Sequence, residues 1–253
     1  MGSATNVTTV HYGTTWDDST LLEEIKQSNL ELEKRDGIKR HFRYDWQEVG
    51  KHNPQYLKFV EAERDRLGEN HPLFRTQYAL LPISGGGGFL SRQQIALMLG
   101  THHRQFQPEG GTPHSQLYPQ MVRIIRDVWN CHKVVIDATG IGQPVASFLR
   151  KELGSKVIPF TFTSKSKSSL GFELLSVVNS GRLKLYKQDG SKECKETMFE
   201  LENARAQYRP NQTMSFYVDP QEGHDDFLMS LALVVAGARD FQPRHAKGFN
   251  QKM

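Results

Sequence analysis

The sequence predicts an α/β protein on three observations. After residue 113, short β-branched or aromatic runs alternate with segments of helical period, the pattern of strands interleaved with helices. One run, Lys133-Val134-Val135-Ile136-Asp137, ends on a carboxylate and turns through Gly140 and Gly142 into Pro144. Such a strand–turn–helix unit places ligands at the carboxyl end of a strand. Finally, Phe227 to Ala236 is almost wholly apolar, as a buried helix is and an amphipathic surface helix is not.

Taken in order, Thr8 to Tyr12 reads as a strand. Thr20 and Glu23 have capping-box spacing, so a helix starts there and runs to about Lys34. Arg40 to Trp46, polar and aromatic, reads as a short strand. Asn53-Pro54 opens a helix that turns Tyr56, Phe59, Val60 and Leu67 inward and stops at Gly68. A short helix follows over Leu73 to Leu80. The run Gly85 to Gly88 predicts a flexible joint; no Gly-Lys-Ser/Thr closes it into a Walker A phosphate loop. Ser91 caps a short helix ending at Gly100, and Gln107 to Pro113 reads as a linker and domain boundary.

Beyond the linker, Leu117 to Trp129 is helical, with Val122, Ile125 and Val128 on one side. Val134 to Ile136 has the unbroken apolar character of a strand buried on both faces. The helix opened by Pro144 carries Val145, Phe148 and Leu149 inward and runs to Leu153. Val157 to Phe162 is a strand, Leu170 to Asn179 a helix, Arg182 to Tyr186 a strand, Glu193 to Ala206 a helix and Thr213 to Val218 a strand. The last helix begins at His224, and the tail after Phe241 is polar.

Composition bounds the function classes. The chain has 253 residues, a net charge of +4 and a pI near 9.0, which permits a polyanion partner without requiring one. Cys131 and Cys194 lie too far apart in sequence for a metal-binding pair and read as reduced thiols. No apolar run is long enough to cross a bilayer and no signal peptide is expected.

The chemistry-bearing residues are carboxylates. Asp137 closes the central strand, where it could equally cap the next turn. Asp225 and Asp226 follow Gly223-His224 at the head of the apolar helix. One Asp there suits a helix cap and the helix dipole, but a second charge entering a buried helix calls for a cationic partner, which a divalent metal supplies. Thr163 to Ser169 joins a strand to a helix, and its hydroxyls with Lys165 and Lys167 suit phosphate contacts, or a solvated loop.

On these residues the chain resembles the large subunit of tailed-phage terminases, the DNA-packaging motors. The resemblance on the nuclease side runs from about His114 to Asp240. Its carriers are Val135-Ile136-Asp137-Ala138-Thr139-Gly140-Ile141-Gly142, the Phe160/Lys165/Lys167 segment, Gly181-Arg182-Leu183 and Gly223-His224-Asp225-Asp226. Tyr12 to Asp18 and Phe74 to Gly88 resemble the end of the family's ATPase domain.

The resemblance implies a ribonuclease H-like mixed sheet flanked by helices, preceded by a mostly helical ATPase-tail segment. The segments would be 1–108 for the ATPase tail and linker, 109–242 for an incomplete nuclease domain and 243–253 for a polar tail. It implies a two-metal endonuclease using Mg²⁺ or Mn²⁺, with Asp137, Asp226 and Asp225 as catalytic and metal-binding carboxylates. Lys165 and Lys167 would hold the backbone of double-stranded DNA without reading its sequence. Implied partners are a portal, a terminase small subunit and other large-subunit chains, with no membrane, in the cytoplasm of a phage-bearing bacterium.

No Walker A or Walker B sequence occurs, so ATP hydrolysis by this chain alone is not expected. No strand ending in Asp lies between Gln107 and Leu117, where the family's first metal-binding strand belongs. Two readings therefore stand side by side: a working nuclease, and a catalytically impaired terminase fragment that keeps the fold and its DNA or motor contacts. Asp137 to Gly142 also resembles phosphate loops of actin-like ATPases, but no second Gly-rich phosphate loop accompanies it.

Overall fold

The computed structural model describes residues 9–16, 20–83, 86–103 and 114–239. In chain order the elements are α1 (Leu21–Asp36), α2 (Trp46–Gly50), α3 (Pro54–Leu67), α4 (Pro72–Gln77), β1 (Gly86–Gly88), α5 (Arg92–Met98), α6 (His114–Arg123), β2 (Val134–Asp137), α7 (Gln143–Leu153), β3 (Val157–Phe160), α8 (Ser164–Asn179), α9 (Lys192–Asn203), β4 (Arg205–Tyr208), β5 (Met214–Tyr217) and α10 (Asp226–Gly237). The expected α/β class holds. Its strands form two small sheets, an antiparallel one in the order β1-β4-β5 and a parallel pair β2-β3. Two compact units result: Met1–Pro108 with Thr163–Met229, and Glu109–Phe162 with Ser230–Met253. The division falls inside α10.

The first unit is built around α8. Thr163 and Ser166 form a capping box that starts this helix six residues earlier than the apolar pattern alone predicts, at Ser164 instead of Leu170. Its buried face carries Leu170, Gly171, Leu174, Leu175 and Val178. Gly171 is there because β5 packs directly on the helix: a Cβ at 171 would stand 2.4 Å from Met214 Cε and 2.7 Å from Phe216 Cδ1. Polar side chains tie α8 to the N-terminal helices. Ser176 Oγ donates to the Arg66 carbonyl (2.8 Å), Asn179 Nδ2 to the Leu67 carbonyl (3.2 Å), and Gln94 Nε2 to Asn179 Oδ1 (2.7 Å). Trp46, Val60, Leu67 and Phe74 form the core under α2, α3 and α4.

Several expectations are corrected in this unit. Residues 9–12 form no strand; Val10 and Tyr12 are exposed, with no ladder to join. Thr20 makes no side-chain cap at α1, so the expected capping box is absent; Glu23 is buried and accepts instead from Lys26 Nζ and Gln27 Nε2. Residues 40–45 are irregular because the backbone N–H groups of Arg40 and His41 are taken by the Glu33 carboxylate. Phe59 points outward on α3. Gly86 to Gly88, expected to be a joint, pair antiparallel with Gln207 to Arg205. Residues 182–186 form no strand, although the Leu185 N–H donates to the Met98 carbonyl (2.7 Å).

In the second unit Val122, Ile125, Leu149 and Val157 make the core, joined by Val134, Ile136, Val145 and Phe148. The helical stretch ends in a π-turn over Ile124–Val128, which leaves Val128 exposed and not inward as the period predicted. Among the described residues β2 has β3 as its one neighbour, so Val134 to Ile136 are half-buried and not enclosed on both faces. The expected linker at 107–113 and the tail after Phe241 lie outside the described residues.

Candidate carboxylate site

Asp137 is the last residue of β2 and is exposed. Its Oδ1 accepts from the Thr139 N–H at 2.7 Å, closing an Asx turn. The Ala138 N–H donates to the Phe160 carbonyl (2.7 Å), and Thr139 Oγ1 accepts from the Phe162 N–H (2.9 Å), so β3 clamps the residues just past Asp137. The turn requires both glycines. Gly140 has φ +55°, and a Cβ on Gly142 would stand 2.2 Å from the Asp137 carbonyl oxygen. Capping the turn occupies one carboxylate oxygen of Asp137; Oδ2 accepts no hydrogen bond among the described residues.

The head of α10 is organised differently from the expectation that one of its aspartates caps it. Asp225 holds the cap position, because its carbonyl accepts from the Met229 N–H at 2.8 Å. The side chain that serves the free N–H groups is Glu200, from α9. Its Oε2 accepts from the Leu228 N–H at 2.8 Å, and its carboxylate also receives the Phe227 N–H. Glu200 is 1 % exposed, and its Oε1 has no hydrogen-bond partner among the described residues. Burial pushes its carboxyl above the usual range, the two N–H donors oppose that, and the neighbouring Asp226 and Asp225 charges add to it. Gly223 lets the turn pass close to α9, since a Cβ there would lie 3.1 Å from Phe199 Cε1.

Relieved of capping, the Asp225 and Asp226 carboxylates accept no hydrogen bond among the described residues; Asp225 is half-buried and Asp226 exposed. The charge of Asp225 reaches one cation of α8, Lys167. Its amine lies 5.5 Å from the Phe216 ring centroid. Burial pulls its pKa down while the Asp225 charge raises it. Lys165, two residues earlier and therefore on a different face of α8, is exposed. Both lysines stand in the first turn of α8, not in the loop that the sequence suggested.

The donor chemistry suits a hard divalent cation. Asp225 and Asp226 offer carboxylate oxygens with no competing protein donor, and Asp137 offers Oδ2. Among the described residues, no group of three or more His, Cys, Asp or Glu side chains is gathered around one position. The first unit thus holds two consecutive carboxylates, Asp225 and Asp226, with Glu200 behind them engaged by the helix.

Glu200 escaped sequence reasoning. It is one of four glutamates in α9, and its place beside buried Leu201 was the one available signal.

Comparison with known proteins follows the same lines. A family model described as "Terminase RNaseH-like domain" matches residues 114–236. No curated protein sequence matches the chain. Among solved structures, the large terminase nuclease from thermophilic phage G20c with bound cobalt is 25% identical, with TM-score 0.40, covering 51% of this chain and 64% of that one. The same nuclease with bound magnesium is 24% identical, with TM-score 0.40 and coverages of 50% and 62%. The HK97 bacteriophage large terminase is 12% identical, with TM-score 0.43 and coverages of 88% and 61%. The chain thus spans under two thirds of the length of these three relatives.

Proposed function

Starting from a chain whose residues 114–236 match a family model of the terminase RNaseH-like domain, we propose that the protein is a metal-dependent endonuclease of phage DNA packaging that cuts double-stranded DNA with little sequence preference. The observation that carries this reading is the Asp225–Asp226 pair at the head of α10, whose carboxylates accept no hydrogen bond among the described residues because Glu200 takes the capping role. Two consecutive carboxylates that accept no protein hydrogen bond among the described residues leave hard oxygen ligands available to a divalent cation.

Asp137, Asp226 and Asp225 are the residues assigned to hold Mg²⁺ or Mn²⁺. When bound, such ions activate water and stabilise the attacking and leaving oxygens of a phosphodiester. Asp137 presents Oδ2 while its other oxygen keeps the turn closed. Lys167, which the Asp225 charge reaches, orients one phosphate at the carboxylates, and exposed Lys165 adds a sequence-independent phosphate contact.

The same ancestry carries the rest of the proposal. Residues 1–108 derive from the ATPase tail and linker, 109–242 from the nuclease and 243–253 from a polar tail, although the compact units cut across that division. The partners are double-stranded DNA, a portal, a small subunit and other large-subunit chains, in the cytoplasm of the bacterial host. Among the described residues no helix is long and apolar enough to cross a membrane.

The test is nicking of supercoiled plasmid with Mn²⁺, Mg²⁺ or EDTA, beside Asp137→Ala and Asp226→Ala. Metal-dependent nicking abolished by both substitutions is the expected result. Equal cleavage by either variant would remove the assignment. A second reading, a terminase remnant that binds DNA without cutting it, is favoured by the lack of any gathered set of three ligands among the described residues; DNA binding without nicking by folded wild-type protein would establish it.

A further inference from the structure

Glu200 sits oddly for a structural carboxylate. It is almost wholly buried on α9, gives one oxygen to the N–H groups of Phe227 and Leu228, and leaves Oε1 with no partner among the described residues. Leaving a buried carboxylate oxygen unpaired is costly. A far less expensive cap stands ready: Asp225 already occupies the cap position by its backbone, and Asp is among the preferred capping side chains. Had Asp225 folded back onto the N–H groups two and three residues ahead, Glu200 could have been any apolar residue filling the same space.

The consequence lies with Asp225. A capping carboxylate spends an oxygen on its own helix and is aimed along the helix axis. With the N–H groups already taken, the Asp225 carboxylate accepts no hydrogen bond among the described residues, and its charge reaches Lys167. We propose that Glu200 is a positioning residue: by holding the amide N–H groups at the start of α10, it denies them to Asp225 and keeps the Asp225–Asp226 pair open to a divalent cation. This rests on the metal-dependent reading above and names a residue which that reading does not use. Groups that orient metal ligands without touching the ion commonly change metal affinity by roughly 10–100-fold when removed.

Two readouts besides cleavage decide the matter, both on the full chain. The first is Mn²⁺ binding followed by electron paramagnetic resonance. Glu200→Gln keeps an oxygen that accepts from the same N–H groups, and binding close to wild type is expected. Glu200→Ala frees those groups for Asp225, and a loss of roughly ten-fold or more is expected. Equal affinity in Glu200→Ala and wild type overturns the proposal.

The second readout is thermal unfolding without metal. Asp225→Ala should melt no lower than wild type, since Asp225 is not the cap, but should lower the melting temperature of Glu200→Ala, where it has become one. An Asp225→Ala variant that melts well below wild type shows that Asp225 caps the helix already, and overturns the proposal even if Glu200→Ala fails to fold. If wild-type protein binds no Mn²⁺, the metal-dependent reading falls. The unfolding pair then still decides whether Glu200 displaces Asp225.

Discussion

Acid should weaken the first unit through His71. The ring is fully buried at the head of α4. Its Nε2 donates to the Phe172 carbonyl of α8 at 3.0 Å, and its Nδ1 accepts from the Leu73 N–H at 3.2 Å. Only the neutral ring with its proton on Nε2 makes both bonds, because a protonated Nδ1 would point a donor at a donor. Burial pushes the pKa down from 6.5 to about 4; the Arg66 charge adds to the fall and the Phe172 carbonyl opposes it.

The folded pKa therefore lies below the unfolded one. Above about pH 6.5 neither state is protonated and nothing is lost. As pH falls from there towards 4, the unfolded chain takes up a proton that the folded chain refuses, and stability declines. The displacement corresponds to about 3 kcal/mol when complete, of which about 2 kcal/mol separates pH 7 from pH 5. The assay is urea unfolding at the two pH values for wild type and His71→Asn, whose side-chain oxygen can still accept from the Leu73 N–H. The variant should be less stable at pH 7 and should lose about 2 kcal/mol less on acidification. An equal loss in both proteins would refute the assignment, since the slope would then belong to other groups.

Two further outcomes follow from close contacts and charge. Gly142→Ala brings a Cβ within 2.2 Å of a backbone oxygen that cannot step aside, so the Asp137 turn must open. A cost of about 1–3 kcal/mol is expected in thermal unfolding, together with loss of metal-dependent nicking. Lys165→Ala should weaken DNA binding uniformly across sequences and reduce the salt slope by about one. Lys167→Ala should do the same and also impair cleavage at saturating DNA, because the Asp225 charge reaches Lys167; a fluorescence titration over salt concentration paired with plasmid nicking separates the two.

Legibility from sequence followed locality only in part, since the equally local Thr163–Ser166 box of α8 was missed and the one expected at Thr20 and Glu23 is absent. Asn53 capping α3 through the Tyr56 N–H, the Ser91–Gln94 capping box of α5 and the glycine turn after Asp137 depend on residues a few positions apart, and each was readable. What distant residues decide was not. The strand expected near Arg40 is undone by a carboxylate on α1. The strand expected at residues 182–186 does not form, because the partner at Met98 supplies one carbonyl and no ladder. Glu200 shows the same limit at the site. Its role comes from N–H groups 27 and 28 positions along the chain, and neither spacing nor periodicity in α9 announces it.

The glycine strand has a consequence for how its sheet finds its alignment. In an ordinary strand a slip of one position turns every inward side chain outward, and that penalty fixes the pairing. Gly86 to Gly88 carry nothing to turn, so their match to Gln207, Ala206 and Arg205 is not self-correcting. The choice passes to the flanks. Ile83 is anchored by its N–H to the Trp16 carbonyl, and Phe89 by its N–H to the Ala204 carbonyl and by its ring, stacked 4.8 Å from Phe216. Phe89 acts as the stop on a featureless ruler: cutting it to alanine would leave the three glycines several equivalent places to lie.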